Sequence, residues 1–568
     1  MRLAKFRLVS GDLSGIQDYI YHTAREQPKG ASKRLRARSF YLGLLTELAA
    51  RMILEELGLL CFNRIINAGV RFTLLVPNTK ATMDRLHQIR RQIGRWFFIH
   101  FKGLLNLNLD FDLEIAGQDF MSGRFGQIQR QLAWHTEKAK ILPFASFLQV
   151  DRKWDPSVFL HENTCSDQGE AFLDKLGSQL PRAGSICVAR ADSTAAAGAD
   201  HPFARPFDYY TIDVQQGYPA ELSNLTCVLE LVPPPDGRAL ERVKYGWLVA
   251  TYVPRISDQD LQVCNQPKVQ RWLASVGREE QDEAQSSQVG GTKTFAHLAL
   301  DTLQRLPDGT FRGQPLLAVL KADVDRLGFL LGFGFGGRAS IGRMVSLSRQ
   351  LDFFFKAVLP TLLARPPRAD PEFRNIYVVY TGGDDLLMVG PWNAVLRFAA
   401  FLDDAFKAFV FDAKAMSISA GISFFARNSP VIQAVMEADE ALEKAKDAGR
   451  NRICVFGQVL RALENGQFLD ELICGHVLGI RISKSLIYRF LTYARMAQDT
   501  SRWHNLAWRS RMAYDLARNV EVEKDHPQAV KAKERLEQMT VLSADGSSID
   551  KLIVATTYCL YQNRGGLS

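Results

Sequence analysis

The sequence predicts an α+β protein with two ferredoxin-like units, an intervening α/β domain and a C-terminal helical bundle. Three observations carry this. A β-α-β-β pattern occurs twice, in the same order and at near-equal spacing. The second copy runs on into a full β-α-β-β-α-β series. Beyond about residue 459 the apolar periodicity is helical to the end.

Length and composition agree. The chain has 568 residues, enough for about three to five domains at roughly 100–200 residues each. Apolar residues make up 47% and charged residues 23%, which excludes a disordered tail, a collagen-like fibre and a coiled coil. No apolar run approaches the ~18–20 residues of a membrane span, so no membrane partner is expected. The N-terminus, MRLAKFRLVSGD, leads straight into a strand-like segment without a signal-peptide core. The eight cysteines (61, 165, 187, 227, 264, 454, 474, 559) are at least 20 residues apart. That spacing fits free thiols in a reducing cytoplasm better than a zinc ribbon or a CxxC redox site. The formal charge of +9 suggests an anionic partner such as nucleic acid.

The duplication reads as follows. FRLVSGDLSGIQDYI (6–20) and LLAVLKADVDRLGFL (316–330) are apolar runs ending in an acidic turn, at Asp12 and Asp323. A helix-like stretch follows each: 31–58 with Ser39, and 339–364 with Ser348. The serines lie 27 and 25 residues after their acidic anchors. A hairpin signature comes next, RIINAGVRFTLLVP (64–77) and IYVVYTGGDDLLMVGP (376–391). The second copy continues with a helix over 393–411, a strand over 417–425, an Ala-rich helix over 431–446 and a last strand over 451–456. Pro430 starts the Ala-rich helix and Gly449 ends it. This order is the ferredoxin-like arrangement, on which palm-type nucleotidyl-transfer domains are built. The expected ranges are 1–130 for the first palm, 131–305 for the intervening domain, 306–459 for the second palm and 460–568 for the helical domain. Within the second range, PPPDG (233–237) and the polar run 278–293 read as loops.

The strongest motif is Gly382-Gly383-Asp384-Asp385, between YVVY and LLMVG. Small turn residues between apolar runs mean a hairpin. The glycines let backbone approach a bulky ligand such as a triphosphate. Two adjacent carboxylates repel unless a cation neutralises them, and Mg²⁺ or Mn²⁺ suits an all-oxygen site. Asp323 supplies a third carboxylate. Asp325 shares its strand face, so one or both of these aspartates can point at the ions. This is a ligand set for two-metal phosphoryl transfer; read alone, the motif is also an ordinary β-turn. Lys446, at the end of the Ala-rich helix, can reach a triphosphate or simply complement the helix dipole. Ser348 can face a nucleotide or solvent.

The first copy has Ala68-Gly69-Val70-Arg71 in place of the motif, without either metal-binding carboxylate. The run 29–38 (KGASKRLRAR) carries Lys33, Arg34, Arg36 and Arg38, read as a phosphate, RNA or subunit contact or as a solvated helix face. No His is followed by Asp. His161, Cys165 and Cys187 form an incomplete zinc set.

GDLSGIQDYIY followed by SKRLRARSFYL, then LKADVDRLG and YTGGDDLLMVG, resemble the large palm-domain subunit of type III CRISPR–Cas effector complexes. The resemblance covers both palm copies and, less distinctly, the helical C-terminus. It implies a cytoplasmic ribonucleoprotein subunit whose second palm turns ATP into cyclic oligoadenylates when target RNA binds. Asp384 and Asp385 would be catalytic and, with Asp323, hold two Mg²⁺ or Mn²⁺ ions. Gly382, Gly383, Asp325, Ser348 and Lys446 would meet the nucleotide. A 3′-hydroxyl would attack an α-phosphate in line and release pyrophosphate. The partners implied are the guide CRISPR RNA, target RNA, the subunit gripping the guide's 5′ end at the first palm, and small subunits at the helical domain. Two departures are expected. Many members begin with an HD nuclease, for which this sequence has no His-Asp pair. Many carry a Cys-rich zinc element between the palms, for which it has no usable cysteine pair, so no zinc is expected. An architectural subunit with an idle palm is one alternative. A diguanylate cyclase-like enzyme is another, opposed by Leu386 where that class has Phe.

Overall fold

The computed structural model describes residues 4–16, 19–20, 31–120, 124–144, 149–150, 153–154, 165–180, 183–192, 201–216, 225–230, 252–276, 288–330, 340–411, 413, 416–427, 429–461, 480–481, 483–499, 501–522, 530, 533–534, 537 and 547–564. Lys29, His161, Cys474, the 233–237 turn and most of the 278–293 run lie outside these residues, as does the side chain of Cys165.

The first sheet is built from β1 (Phe6–Ser14), β2 (Arg64–Ala68), β3 (Arg71–Pro77) and β4 (Asn106–Asp110), in the order β2-β3-β1-β4, with β5 (Glu114–Ile115) pairing β1. Strand β1 is antiparallel to β3, Phe6 opposite Pro77 and Asp12 opposite Arg71, and antiparallel to β4. Helices α1 (Ala31–Glu56), α2 (Lys80–Phe101) and α3 (Phe125–Ile141) complete this part. Thr79 caps α2 by accepting the Thr82 N–H, and Lys102 closes it in the left-handed region (φ 51°). Buried Glu47 of α1 accepts from Arg64 at 2.7 Å and from Arg51 at 3.3 Å. Burial opposes its charge, but Arg64, Arg51 and Lys356 outweigh that and hold the carboxyl at about 2.

A three-stranded antiparallel sheet follows, β6 (Ser185–Arg190), β7 (Tyr210–Gln215) and β8 (Cys227–Glu230) in the order β8-β6-β7, preceded by α4 (Cys165–Gln179). Short helices α5 (Asp258–Cys264), α6 (Pro267–Val276) and α7 (Phe295–Leu300) come next.

The second large sheet contains β9 (Leu316–Val324), β10 (Tyr377–Thr381), β11 (Asp385–Pro391), β12 (Ile418–Ala426), β13 (Arg452–Val455) and β14 (Gln458–Arg461). Their order is β10-β11-β9-β12-β13-β14. Its first four strands repeat the order of the first sheet. The long helix begins as α8 (Ile341–Phe353), passes through a π-helical turn at Phe354–Val358 and ends as α9 (Leu359–Ala364). Helix α10 (Trp392–Phe409) follows the hairpin. Helix α11 (Val431–Asp447) is the crossover between the parallel pair β12 and β13. Its buried stripe, Val431, Val435, Ala438, Leu442 and Ala445, follows helical spacing. Gly421 lets it settle on β12, because a Cβ there would collide with the backbone of Ala438 and Leu442. Helices α12 (Lys484–Gln498), α13 (Trp508–Asn519) and α14 (Ser547–Asn563) share a core of Leu486, Phe490, Met512, Leu516, Leu552 and Ile553.

The chain folds as two compact units, neither continuous in sequence. One comprises residues 1–252, 326–364 and 378–386; the other comprises 253–325, 365–377 and 387–568. In the first unit Met344 of α8 packs with Leu8, Ile65, Ile115 and Phe125 of the first palm. These units cut across the four consecutive ranges read from the sequence.

In the second unit Thr294 and His297 form a capping box at α7. Burial lowers the His297 pKa to about 4; Lys293 adds to the effect and Asp260 opposes it. An unfolded His takes a proton near pH 6.5, whereas folded His297 does so only near 4. Its contribution is therefore complete above pH 6.5 and is lost as the pH falls toward 4, about 3 kcal/mol in all. His297→Gln, which retains a capping residue, should make stability fall less between pH 7 and pH 4.5 than in the wild type, measured as the urea midpoint at each pH.

Candidate active site

The motif residues belong to the first unit. Gly382 N–H donates to Asp385 O at 2.7 Å, closing the hairpin between β10 and β11. Gly383 has φ 91°, which glycine adopts without strain. A Cβ at Gly382 would occupy the space of the Asp385 carboxylate. Tyr380 Oη donates to Asp385 Oδ2 at 3.2 Å.

The first palm's hairpin meets this turn directly. Gly69 (φ 58°) lies so close that a Cβ would collide with the backbone of Gly382. Two serines make a reciprocal exchange around the contact. Ser39 Oγ of α1 donates to Val379 O of the second palm at 2.7 Å. Ser348 Oγ of α8 sits 3.4 Å from Asn67 N and 3.5 Å from Asn67 O of the first palm. The long helix of each palm thus hands a hydroxyl to the other palm's hairpin strand.

In the second unit, β9 ends in Asp323, whose side chain is 24% exposed and lies 3.1 Å from Lys446 Nζ. Glu443 holds the same ammonium at 3.1 Å. Burial raises the Asp323 pKa; Lys446 works against that, while Asp325 and Glu443 add to it. For Lys446, burial favours the neutral amine, but Asp323 and Glu443 together outweigh it and raise its pKa.

Asp325, expected at the nucleotide, is turned inward. It is 4% exposed and accepts from Ser417 Oγ (2.7 Å), Ser419 Oγ (2.7 Å) and Asn451 N–H (2.9 Å). Strand face was readable from the sequence, but depth was not. The neighbouring backbone is strained: Arg326, Arg450 and Asn451 have φ of 55°, 65° and 50°. The buried carboxylate therefore pins the turn after α11, the helix that carries Lys446.

The first palm shows the same construction closed by cations. Asp12, 5% exposed, lies 2.9 Å from Arg71 and 2.9 Å from Lys140 of α3. Arg71 takes the place held by Asp385 in the second copy. Lys140 is the topological counterpart of Lys446, and sequence reading missed it. Spacing was the available signal: Lys140 follows Asp12 by 128 residues and Lys446 follows Asp323 by 123.

The expected contact run at 33–38 requires correction. Arg38 is 1% exposed, donates to Tyr19 O and Ile20 O, and lies over the Tyr19 ring. Arg36 is 6% exposed and donates to Gly177 O of α4 at 3.2 Å. Arg34 pairs with Asp174 at 3.4 Å, and Gly177 packs against the Lys33 backbone. Arg34 and Arg36 thus join α1 to α4, and Arg38 is turned inward to the chain at Tyr19 and Ile20, so Arg36 and Arg38 are buried rather than part of a solvated helix face. Cys187 and Cys227 sit on neighbouring strands, one register step apart. Burial pushes their thiols up to about 11 and about 12. Among the described residues, Asp110, Asp112 and His135 also bring ligand atoms within 4.8 Å of one another. No described helix is long and apolar enough to cross a membrane.

Two family models match the chain: Cas10/Cmr2, second palm domain, over residues 316–454, and Csm1 subunit domain B, over residues 5–153. The chain belongs to the large-subunit family of type III CRISPR effector complexes. A relative from Thermococcus onnurineus, named CRISPR system single-strand-specific deoxyribonuclease Cas10/Csm1 (subtype III-A), is 28% identical over 493 residues. The match takes in 80% of this chain and 55% of that protein. One from Enterococcus italicus with the same name is 25% identical over 98% of this chain and 67% of its own length. The chain spans about half the length of most of the curated relatives it matches. Among solved structures, a Csm1-Csm4 cassette in complex with one ATP aligns with a TM-score of 0.69 at 23% identity, over 97% of this chain and 70% of that one. The cassette in complex with cA4 aligns with a TM-score of 0.67 at 21% identity, over 98% and 70%. At these identities the structural likeness speaks for the fold.

Because three buried donors rest on Asp325, Asp325→Ala should cost about 3 kcal/mol. Asp325→Asn, which keeps an acceptor oxygen, should cost less. Urea unfolding of both variants measures the difference.

Proposed function

We propose that the chain is the nucleotidyl-transfer subunit of a cytoplasmic type III effector complex and that its second palm makes cyclic oligoadenylates from ATP. One observation carries this reading. Both palms place a carboxylate at the end of the first strand with a lysine upon it, but only the second keeps two more carboxylates on its hairpin. The ATP and cA4 bound in solved relatives support it.

The residues suit a hard divalent cation. Asp323, Asp384 and Asp385 offer oxygen only, without histidine or thiolate, as Mg²⁺ or Mn²⁺ requires. Glycine at 382 leaves the space that the Asp385 carboxylate occupies, and half-buried Asp323 already leans on a cation, Lys446. In the proposed site the three aspartates hold two ions. When bound, these ions acidify the attacking hydroxyl and neutralise charge on the departing phosphates.

The other residues orient the reactants. Gly382 and Gly383 admit the triphosphate against backbone. Lys446, released from Asp323, offers a positive charge to the phosphates. Asp325 fixes the turn behind that lysine. Ser348 and Ser39 set the two hairpins against each other. The 3′-oxygen of one adenosine forms a bond to the α-phosphorus of the next ATP as the α–β phosphoanhydride bond breaks. The hydroxyl proton passes to solvent and pyrophosphate leaves. The proposed partners are guide CRISPR RNA, target RNA, the 5′-end-binding subunit at the first palm and small subunits at the helical region. The Csm1-Csm4 pairing in solved relatives supports a subunit partner.

The assembled, target-bound complex with ATP and Mg²⁺ or Mn²⁺ tests this, with products read by mass spectrometry. Asp384→Ala/Asp385→Ala should lower oligoadenylate yield on the order of a hundredfold or more. Equal yields from wild type and variant would leave an architectural subunit. A product from GTP alone would favour a diguanylate cyclase-like enzyme.

A further inference from the structure

The 36 residues from Lys484 to Asn519 hold seven cations (Lys484, Arg489, Arg495, Arg502, Arg509, Arg511 and Arg518) and two carboxylates, Asp499 and Asp515. Their net charge is +5, more than half of the chain's +9. All seven cations are exposed. Asp515 is withdrawn from the surface: it is 2% exposed, pairs with Arg489 at 3.1 Å, and accepts from Tyr493 Oη and Asn519 Nδ2. Only Asp499 remains at the surface among them.

Aromatic rings lie among these cations, and they are exposed. Trp503 is 84% exposed, Tyr514 56% and Tyr488 47%. The apolar stripes of both helices, Leu486, Phe490 and Ala494 on α12 and Trp508, Met512 and Leu516 on α13, are already buried in the shared core. These rings are therefore not needed for packing. Tyr514 is one turn from Arg511 and one from Arg518, whose guanidinium donates to its hydroxyl at 2.6 Å. Asp515 of α13 holds both Tyr493 and Arg489 of α12. Arg489 of α12 is thus tied to α13, which carries Arg511, Tyr514 and Arg518 among its exposed residues, with Trp503 on the connection between the helices.

We propose that this face of α12 and α13 binds single-stranded nucleic acid, the arginines taking phosphates and Trp503, Tyr488 and Tyr514 stacking on bases. Positive charge alone would suit any polyanion. Exposed rings among the cations favour a strand whose bases are free to stack, since a duplex keeps its bases stacked on one another. The proposal is independent of the nucleotidyl-transfer reading.

The test uses the full chain and fluorescence anisotropy with labelled 20-mers: oligouridylate, oligothymidylate and a duplex. Arg509→Gln/Arg511→Gln/Arg518→Gln should weaken single-strand binding at least tenfold near 0.1 M salt. It should also reduce the slope of log affinity against log salt by about 2, since each phosphate contact contributes roughly 0.7. Trp503→Ala/Tyr514→Ala should weaken binding about tenfold or more with the slope unchanged. All five positions are exposed, and an unchanged melting temperature verifies folding. A preference for the uridylate or thymidylate strand identifies the source as RNA or DNA. Wild-type affinity in both variants overturns the proposal. So does duplex binding as tight as single-strand binding with the aromatic variant silent. Loss of a protein subunit from the assembled complex with strand binding intact would also overturn it and make the face a protein contact.

Discussion

A carboxylate at the end of a central strand, half removed from water, needs a cation. Both palms face this constraint, and their chemistry diverges from how they meet it. In the first palm Asp12 is enclosed by Arg71 and Lys140, so the charge is settled permanently by covalently attached partners. In the second, Asp323 rests on Lys446, and the hairpin sequence has acid where the first palm has base. Adjacent carboxylates repel one another, and a divalent cation offsets that repulsion.

Asp325 shows how the second copy is supported. Its three hydrogen bonds tie the end of β9 to β12 and to the turn after α11. That turn contains two residues in the left-handed region, a conformation that must be stabilised from outside. The carboxylate does this from beneath, leaving the helix end that carries Lys446 fixed in place.

The β-α-β-β order of both palms, and its continuation in the second, was legible because each strand is a short apolar run between punctuating residues and each helix keeps its periodicity; the later helices and strand of the first palm were not read. The acidic anchors, the hairpin motif and its degenerate counterpart were legible because they are local. What escaped reading depends on distance. Arg36 and Arg38 count as surface charge in any window of ten residues, yet α4, about 140 residues on, covers Arg36. Lys140 gave no local sign, since only its place in the duplicated order identifies it. The serine spacing was visible, but the exchange joins residues 340 and 281 positions apart. Alternation along a strand gives the side of Asp325 and not its depth.

The crossed serines bind the fates of the two halves. A change in α1 is felt at the strand leading to the acidic turn, and a change in α8 is felt at the hairpin strand of the first copy. Without acids on its hairpin, the first copy still supplies a hydroxyl to the strand that leads into the acidic turn. Each copy thereby holds one edge of the other's hairpin, so a substitution at either serine alters two hairpins at once.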